Sequence, residues 1–219
     1  ITGSKIYISA GDHDLVENII HLVLARIPGA PEGIHGISLF IVPKFLVRED
    51  GSLGERNSVF CGSIENKMGL NASATCEMNY NAAIGYLLGE RHQGVKAMFT
   101  MMNKARLAVA VQALSLGEIA YQNAAAFAKR RLQGRSSSNK VLSGTNAVPI
   151  IVHPDIRRML MTMRTFTEGA RALTLWTAFS LDMSENDEDA RVRSEAADCV
   201  SLVTPILKAY ITDLGFEIT

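Results

Sequence analysis

Residues 74–131 read "ATCEMNYNAAIGYLLGERHQGVKAMFTMMNKARLAVAVQALSLGEIAYQNAAAFAKRR" and decide the fold. The opening residues alternate, so Cys76, Met78 and Tyr80 fall on one face of a strand and Thr75, Glu77 and Asn79 on the other. After residue 93 the period changes. Val95, Met98, Met102, Ala105, Val109, Ala113, Leu116, Ala120 and Phe127 recur at three- and four-residue steps, which predicts one apolar helix stripe about nine turns long. A β part therefore gives way to an α part, and the chain reads as α+β. The expected division is residues 1–83 and 84–219.

Toward the N-terminus the runs are short and rich in β-branched residues: "KIYISAG" (5–11), "IIHLVLARI" (19–27) and "GISLFIVPKFLV" (36–47). Between them, "IPGAPEGIHG" (27–36) and "REDGSLGERN" (48–57) carry Pro and Gly clusters and an Asp50-Gly51 turn signal. These loops interrupt a sheet and do not divide domains. The expected form is a partial antiparallel β-barrel or sheet.

Toward the C-terminus, a loop at 132–150 leads into "HPDIRRMLMTMRTFTEGARALTLWTAFSLDMSE" (153–185), with Pro154 placed for a first helical turn. Acidic "SENDED" (184–189) separates this from "ARVRSEAADCVSLVTPILKAYITDLGF" (190–216), where interior Pro205 is expected to kink the helix. Three long helices of an antiparallel four-helix bundle follow from the pattern. Because such a bundle closes on a fourth helix, and a strand is under way from the first residues, both ends are expected to continue in a longer protein.

Composition narrows the function. The chain is 47% apolar and 20% charged, with 22 basic and 22 acidic residues, so no charge excess marks a nucleic-acid or anionic-membrane partner. No uninterrupted apolar run reaches the roughly 18 residues of a membrane span. Cys61, Cys76 and Cys199 form no C-x-x-C pair and suit a reducing compartment. His13, His21, His35, His92 and His153 show no ligand spacing and read as surface or strand-end residues. "DMSENDEDARVR" (182–193) lacks the glycine and glutamate of a calcium loop and reads as a solvated turn. Ser136–Ser138 offer hydroxyls to a phosphate, or simply a flexible polar loop.

The family resemblance rests on "GSKIYISAG" (3–11), which resembles the G-x-K-x-aromatic-Ile-Ser/Thr hairpin of acyl-CoA dehydrogenases, and on residues 66–131, which resemble that family's passage from β-domain to C-terminal helices. The loops of residues 21–57 and "HPDIRRMLMTMR" (153–164) are most similar to the larger bacterial branch that includes 3-methylmercaptopropionyl-CoA dehydrogenases. On this resemblance the chain is an internal stretch: the end of the middle β-domain and the first three helices of the C-terminal domain.

The resemblance implies FAD as cofactor and assigns residues. Tyr7 takes the place of the aromatic beside the flavin ring, and Ser9 that of the hydroxyl hydrogen-bonding near N5. The residues alone allow an ordinary strand Tyr and Ser. Asn103 and Arg106, one helical turn apart in "NKAR", match the acyl-CoA channel; a salt bridge inside the bundle is the alternative for Arg106. Arg131 in "FAKRRLQGR" matches the arginine that reaches the FAD pyrophosphate of a neighbouring subunit, where a planar fork suits a diphosphate. The pattern departs at Gln133-Gly134, where the family phenylalanine is absent, and at Pro154, which replaces a glutamine.

The implied reaction is α,β-dehydrogenation of an acyl-CoA thioester to a trans-2-enoyl-CoA, with electrons passing to an electron-transfer flavoprotein or similar acceptor. A homodimer or homotetramer through the helical domain, in a bacterial cytoplasm, completes the expectation. The catalytic glutamate is expected after Thr219. Ala105 occupies the position where a few relatives carry it, and neither Glu168 nor Glu217 is assigned the role. The competing reading is a noncatalytic helical scaffold or oligomerisation module derived from the same fold.

Overall fold

The computed structural model describes residues 1–135 and 147–219; the Ser136–Ser138 run lies outside them. The backbone forms two compact units, Ile1–Thr100 and Met101–Thr219.

The first unit holds eight strands: β1 (Gly3–Ser9), β2 (Ile20–Arg26), β3 (Ile37–Pro43), β4 (Phe45–Val47), β5 (Leu53–Arg56), β6 (Val59–Ile64), β7 (Thr75–Tyr80) and β8 (Tyr86–Leu88). They make three antiparallel sheets, ordered β1-β7-β6, β2-β3-β8 and β4-β5, and no closed barrel among the described residues. The alternation read from β7 is realised: Cys76, Met78 and Tyr80 are buried, joined in one core by Val23, Val42, Val59 and Ala83. β8 pairs with β3, so residues beyond 83 still belong to this unit.

Buried Asn57 ties the unit together. Its Nδ2 donates to the carbonyls of Pro43 (2.9 Å) and Ile84 (2.8 Å), and its Oδ1 accepts from the amides of Ser58 and Ile84 (both 2.9 Å). Two donors and two lone pairs are all a primary amide possesses, and all four are used.

Three long helices follow: α1 (Gly94–Arg130), α2 (Pro154–Asn186) and α3 (Ala190–Ile218). Gly94 opens α1 so close to β3 that an added Cβ would stand 2.3 Å from the Ser38 carbonyl carbon. Pro154 occupies the first turn of α2, and Asp189 caps α3 by accepting from the Arg191 amide at 2.8 Å. α3 is one helix on both sides of Pro205. In the acidic turn between α2 and α3, Glu188 and Asp189 are exposed, Asp187 is half-buried, and Asp189 serves as the cap.

Ion pairs fix the direction of packing in the second unit. Lys104 meets Glu185 at 2.8 Å and Glu118 meets Arg171 at 2.6 Å, a matching interval on both helices run in opposite senses, so α1 and α2 are antiparallel. Gly117 lies beside Ile218 and Gly215 beside Ala113, which makes α1 and α3 parallel. Ala110, Leu114, Phe166, Ala170, Leu207 and Ile211 form the shared core. By length and composition alone α3 is apolar enough to cross a membrane; one row, Ala196, Val200, Thr204, Leu207, Ile211 and Gly215, is buried in the unit, and most of its apolar window is left unburied.

One expectation is corrected. The inward row of α1 runs through Asn103, Leu107, Ala110, Leu114, Gly117, Tyr121 and Ala128, whereas Val109, Leu116 and Phe127 of the expected stripe are exposed. Apolar residues lie on several sides of this helix, so spacing does not choose among them. Packing against α2 and α3 chooses the row, which meets them through the side chains of the shared core.

Candidate functional site

In β1, Lys5 pairs with Met78 and Ile8 with Cys76, so Ile6 and Tyr7 together oppose the single residue Glu77. This is a β-bulge, and Tyr7 adopts a left-handed φ of 58° within it. Such a conformation is uncommon for a residue with a Cβ and costs about 1–2 kcal/mol. The bulge shifts the strand by one residue. Ile8 turns toward the core, Ser9 pairs with Thr75 on the outer face, and the Tyr7 ring stands 68% exposed. A planar face and a hydroxyl two residues apart are thus presented outward from one strand end.

Behind Ser9 lies a cavity of about 340 Å³ lined by Lys5, Ser9, His21, Tyr80 and Met98, among others. His21 is not the surface residue that its lack of ligand spacing suggested. It pairs with Val42 in the β2–β3 ladder, is only 7% exposed, and meets Tyr80 edge-on with ring centroids 6.2 Å apart. Its Nε2 is buried without a hydrogen-bond partner. Burial pushes the imidazole below its ordinary pKa; Asp12 opposes this and Lys44 adds to it. Asp12 and Lys44 are themselves paired at 2.5 Å. The signal for an inward His21 was in "IIHLVLAR", where it is in phase with Val23.

In the second unit, Asn103 and Arg106 are both half-buried, one turn apart, at the start of the inward row of α1. Arg131 follows the last residue of α1 and is held at both ends of its peptide. Its amide donates to Phe127 O (2.9 Å), and its carbonyl accepts from Ile150 N (2.9 Å). Next to it, Leu132 bridges Pro149 and the His153 ring contacts Gln133 O at 2.8 Å. The backbone is thereby anchored where the guanidinium is exposed. Gln133, at one departure from the family pattern, and His153, next to Pro154 at the other, serve this anchoring through a main-chain carbonyl and a ring.

The carboxylates here do not resemble a catalytic base. Glu168 is exposed and pairs with Arg164 at 2.7 Å on the same helix, Glu217 is exposed, and the side chain at position 105 is a methyl group.

Residues 92–219 match the family model for the C-terminal domain of acyl-CoA dehydrogenase. The chain belongs to the acyl-CoA dehydrogenase family. It is 47% identical over 218 residues to a 3-methylmercaptopropionyl-CoA dehydrogenase of Ruegeria pomeroyi, covering 100% of this chain and 36% of that protein. It is 43% identical over 215 residues to a broad-specificity linear acyl-CoA dehydrogenase of Mycobacterium tuberculosis, covering 95% and 35%. Among solved structures, Caenorhabditis elegans ACDH-11 in complex with C11-CoA superposes with a TM-score of 0.77 at 27% identity, covering 99% of this chain and 33% of that one. The chain thus spans about a third of the length of these acyl-CoA dehydrogenases.

Proposed function

We propose that the protein carrying this sequence is a flavin-dependent acyl-CoA dehydrogenase that converts an acyl-CoA thioester to its trans-2-enoyl-CoA. The observation that carries this is the β1 bulge. In a chain of this family, it turns one aromatic and one hydroxyl outward at the two positions where the family holds the flavin ring.

The donor set suits FAD. Tyr7 offers a flat face, Ser9 a hydroxyl that both donates and accepts, and Arg131 a cationic fork for a diphosphate. Bound there, the flavin supplies the two-electron oxidising capacity for dehydrogenation. This chain's own residues bind and orient. Tyr7 covers a ring face, Ser9 fixes its register, and Arg131, on an anchored peptide, takes the pyrophosphate of a neighbouring copy. Asn103 and Arg106 line the route of the acyl thioester. Proton abstraction is assigned to no carboxylate among the described residues. In this reading the strands end the β-domain and the long helices begin the C-terminal one, the helices mediate a homodimer or homotetramer, and an electron-transfer flavoprotein accepts the electrons.

The test is made on the whole protein. Purified, it retains FAD and reduces a dye with short or medium acyl-CoAs. Tyr7→Gly, which relieves the left-handed backbone while deleting the ring, lowers FAD affinity without loss of fold stability. A protein that holds no FAD and reduces no dye with any such substrate defeats the reading and leaves the scaffold alternative.

A further inference from the structure

We propose that Thr75 is a second hydroxyl on the flavin-recognition surface, hydrogen-bonding the polar edge of the ring beside Ser9. The inference rests on the assignment of Ser9 to the flavin site and carries that site across the ladder to β7.

Residues directly opposed on antiparallel strands share a face, with Cβ atoms about 4.5–5.5 Å apart, and polar pairs there bond each other. The outer face of the β1-β7-β6 sheet carries three such pairs: Ser4 with Asn79, Ser63 with Glu77, and Ser9 with Thr75. Two are closed on themselves. Ser4 donates to Asn79 Oδ1, and Ser63 donates to Glu77 Oε2 at 3.1 Å. The third is open: neither the Ser9 nor the Thr75 hydroxyl has a hydrogen-bond partner among the described residues. This open pair is the one beside the bulge, two residues along β1 from the outward Tyr7.

The pair is fixed on both strands. Ile8 faces Cys76 in the ladder, the Ala10 amide donates to Ala74 O at 2.7 Å, and the Thr75 carbonyl accepts from the Glu65 amide at 2.8 Å. β-Branching leaves Thr75 few χ1 positions, so its hydroxyl is restricted in direction before any ligand arrives. The carboxylate of Glu77, opposite Ile6 and Tyr7, is tied to Ser63 of β6, the strand away from β1. Beside the Tyr7 ring, then, stand two uncharged hydroxyls. A flavin edge sets the ring nitrogen N5 next to a ring carbonyl, two neutral acceptors side by side. Hydroxyls suit that edge, because each donates to an acceptor and also accepts from N5 when that nitrogen carries hydrogen. A diphosphate would call for a cation here, and an apolar ligand would leave both hydroxyls unmatched.

The test compares Thr75→Val and Thr75→Ser with the unmutated whole protein. Valine keeps the branched shape and suits a strand, so urea unfolding of the apo-protein is expected to be unchanged. About a fivefold loss of FAD affinity is expected in Thr75→Val, the equivalent of one net hydrogen bond, and Thr75→Ser should stay within about twofold of wild type. FAD enriched with ¹⁵N at N5 and with ¹³C at the neighbouring carbonyl reads hydrogen bonding at the ring itself. In Thr75→Val one of these two signals should leave its wild-type position, and Thr75→Ser should restore it. Should the valine protein fail to fold, Thr75→Ala makes the same deletion without a second methyl group. Unchanged affinity with both signals unmoved in the hydroxyl-free variants, or an equal loss in Thr75→Ser and Thr75→Val, overturns the assignment of Thr75 while the flavin reading stands. A wild-type protein without FAD affinity overturns both.

Discussion

Replacing Asn57 by alanine removes the one side chain that bonds β3, the start of β6 and the approach to β8 at once. Four hydrogen bonds disappear, to Pro43 O, Ile84 O, Ile84 N and Ser58 N. Each is worth about 1 kcal/mol net when lost to water, and a buried group left without a partner costs about 1–3 kcal/mol. The Pro43 carbonyl is buried and takes the higher figure, whereas Ile84 and Ser58 are partly open and water reaches them. The sum is a loss of roughly 3–5 kcal/mol, a large share of the ~5–15 kcal/mol of an ordinary domain. Urea unfolding followed by circular dichroism measures it, and hydrogen exchange at the Ser58 and Ile84 amides locates it. Asn57→Asp separates the two halves of the amide. It keeps the acceptor, loses both donors and points a carboxylate at two carbonyls, so its folded-state pKa rises and part of the lost stability returns as pH falls through that value. A loss below about 1 kcal/mol for Asn57→Ala, with unchanged exchange at both amides, would refute the view of Asn57 as the tie of this unit.

Gly94→Ala drives a methyl group into the Ser38–Leu39 backbone, which cannot swing aside. A loss of about 3 kcal/mol, at the upper end of overpacking costs, is expected in the urea midpoint, and a change within 0.5 kcal/mol would count against the close approach. The Cys61 thiol is pushed up by burial first and then by the neighbouring Cys76 thiol. Native-state labelling of Cys61, isolated by comparison with Cys61→Ser, should therefore run slower than a free thiol at pH 8 and keep accelerating above pH 9; a plateau below that pH contradicts it. The depressed pKa of His21 means that the unfolded chain takes its proton first, so stability from this residue falls as pH drops below about 6.5, by no more than about 1.4 kcal/mol per pH unit. With Asp12 and Lys44 intact in both proteins, the wild type should lose stability faster than His21→Leu across pH 6.5 to 5, and parallel curves would exclude it.

Much of the fold is legible where one period dominates. β7 alternates without exception and is buried accordingly, and Pro154 and the acidic turn at 187–189 mark helix ends. α1 shows where legibility stops. Its apolar residues encircle the helix, so the inward row is set by which side α2 and α3 cover, a property of α2 and α3 and not of α1. The candidate site divides the same way. Tyr7, Ser9, Asn103, Arg106 and Arg131 are identifiable from motifs, but the bulge that turns Tyr7 outward depends on the register of β7 across the sheet. His21 needed the companion strand as well. Its sequence neighbours place it inward, and only the ladder brings it to the same cavity as Ser9.

The β1–β7 ladder holds one residue more on β1 than its pairing requires. Deleting Tyr7 alone would leave Lys5 opposite Met78, Ile6 opposite Glu77, Ile8 opposite Cys76 and Ser9 opposite Thr75: an unbroken ladder, without the left-handed residue at its centre. The surplus residue is the aromatic one. In such a strand, length is under tighter selection than identity. Exchanges of one ring for another at position 7 can drift through a lineage, while loss of a single codon would yield a sounder sheet and a blank site. On the proposed flavin reading, a stability screen would rate that deletion as harmless or beneficial, and only a flavin-retention screen would reveal what it had erased.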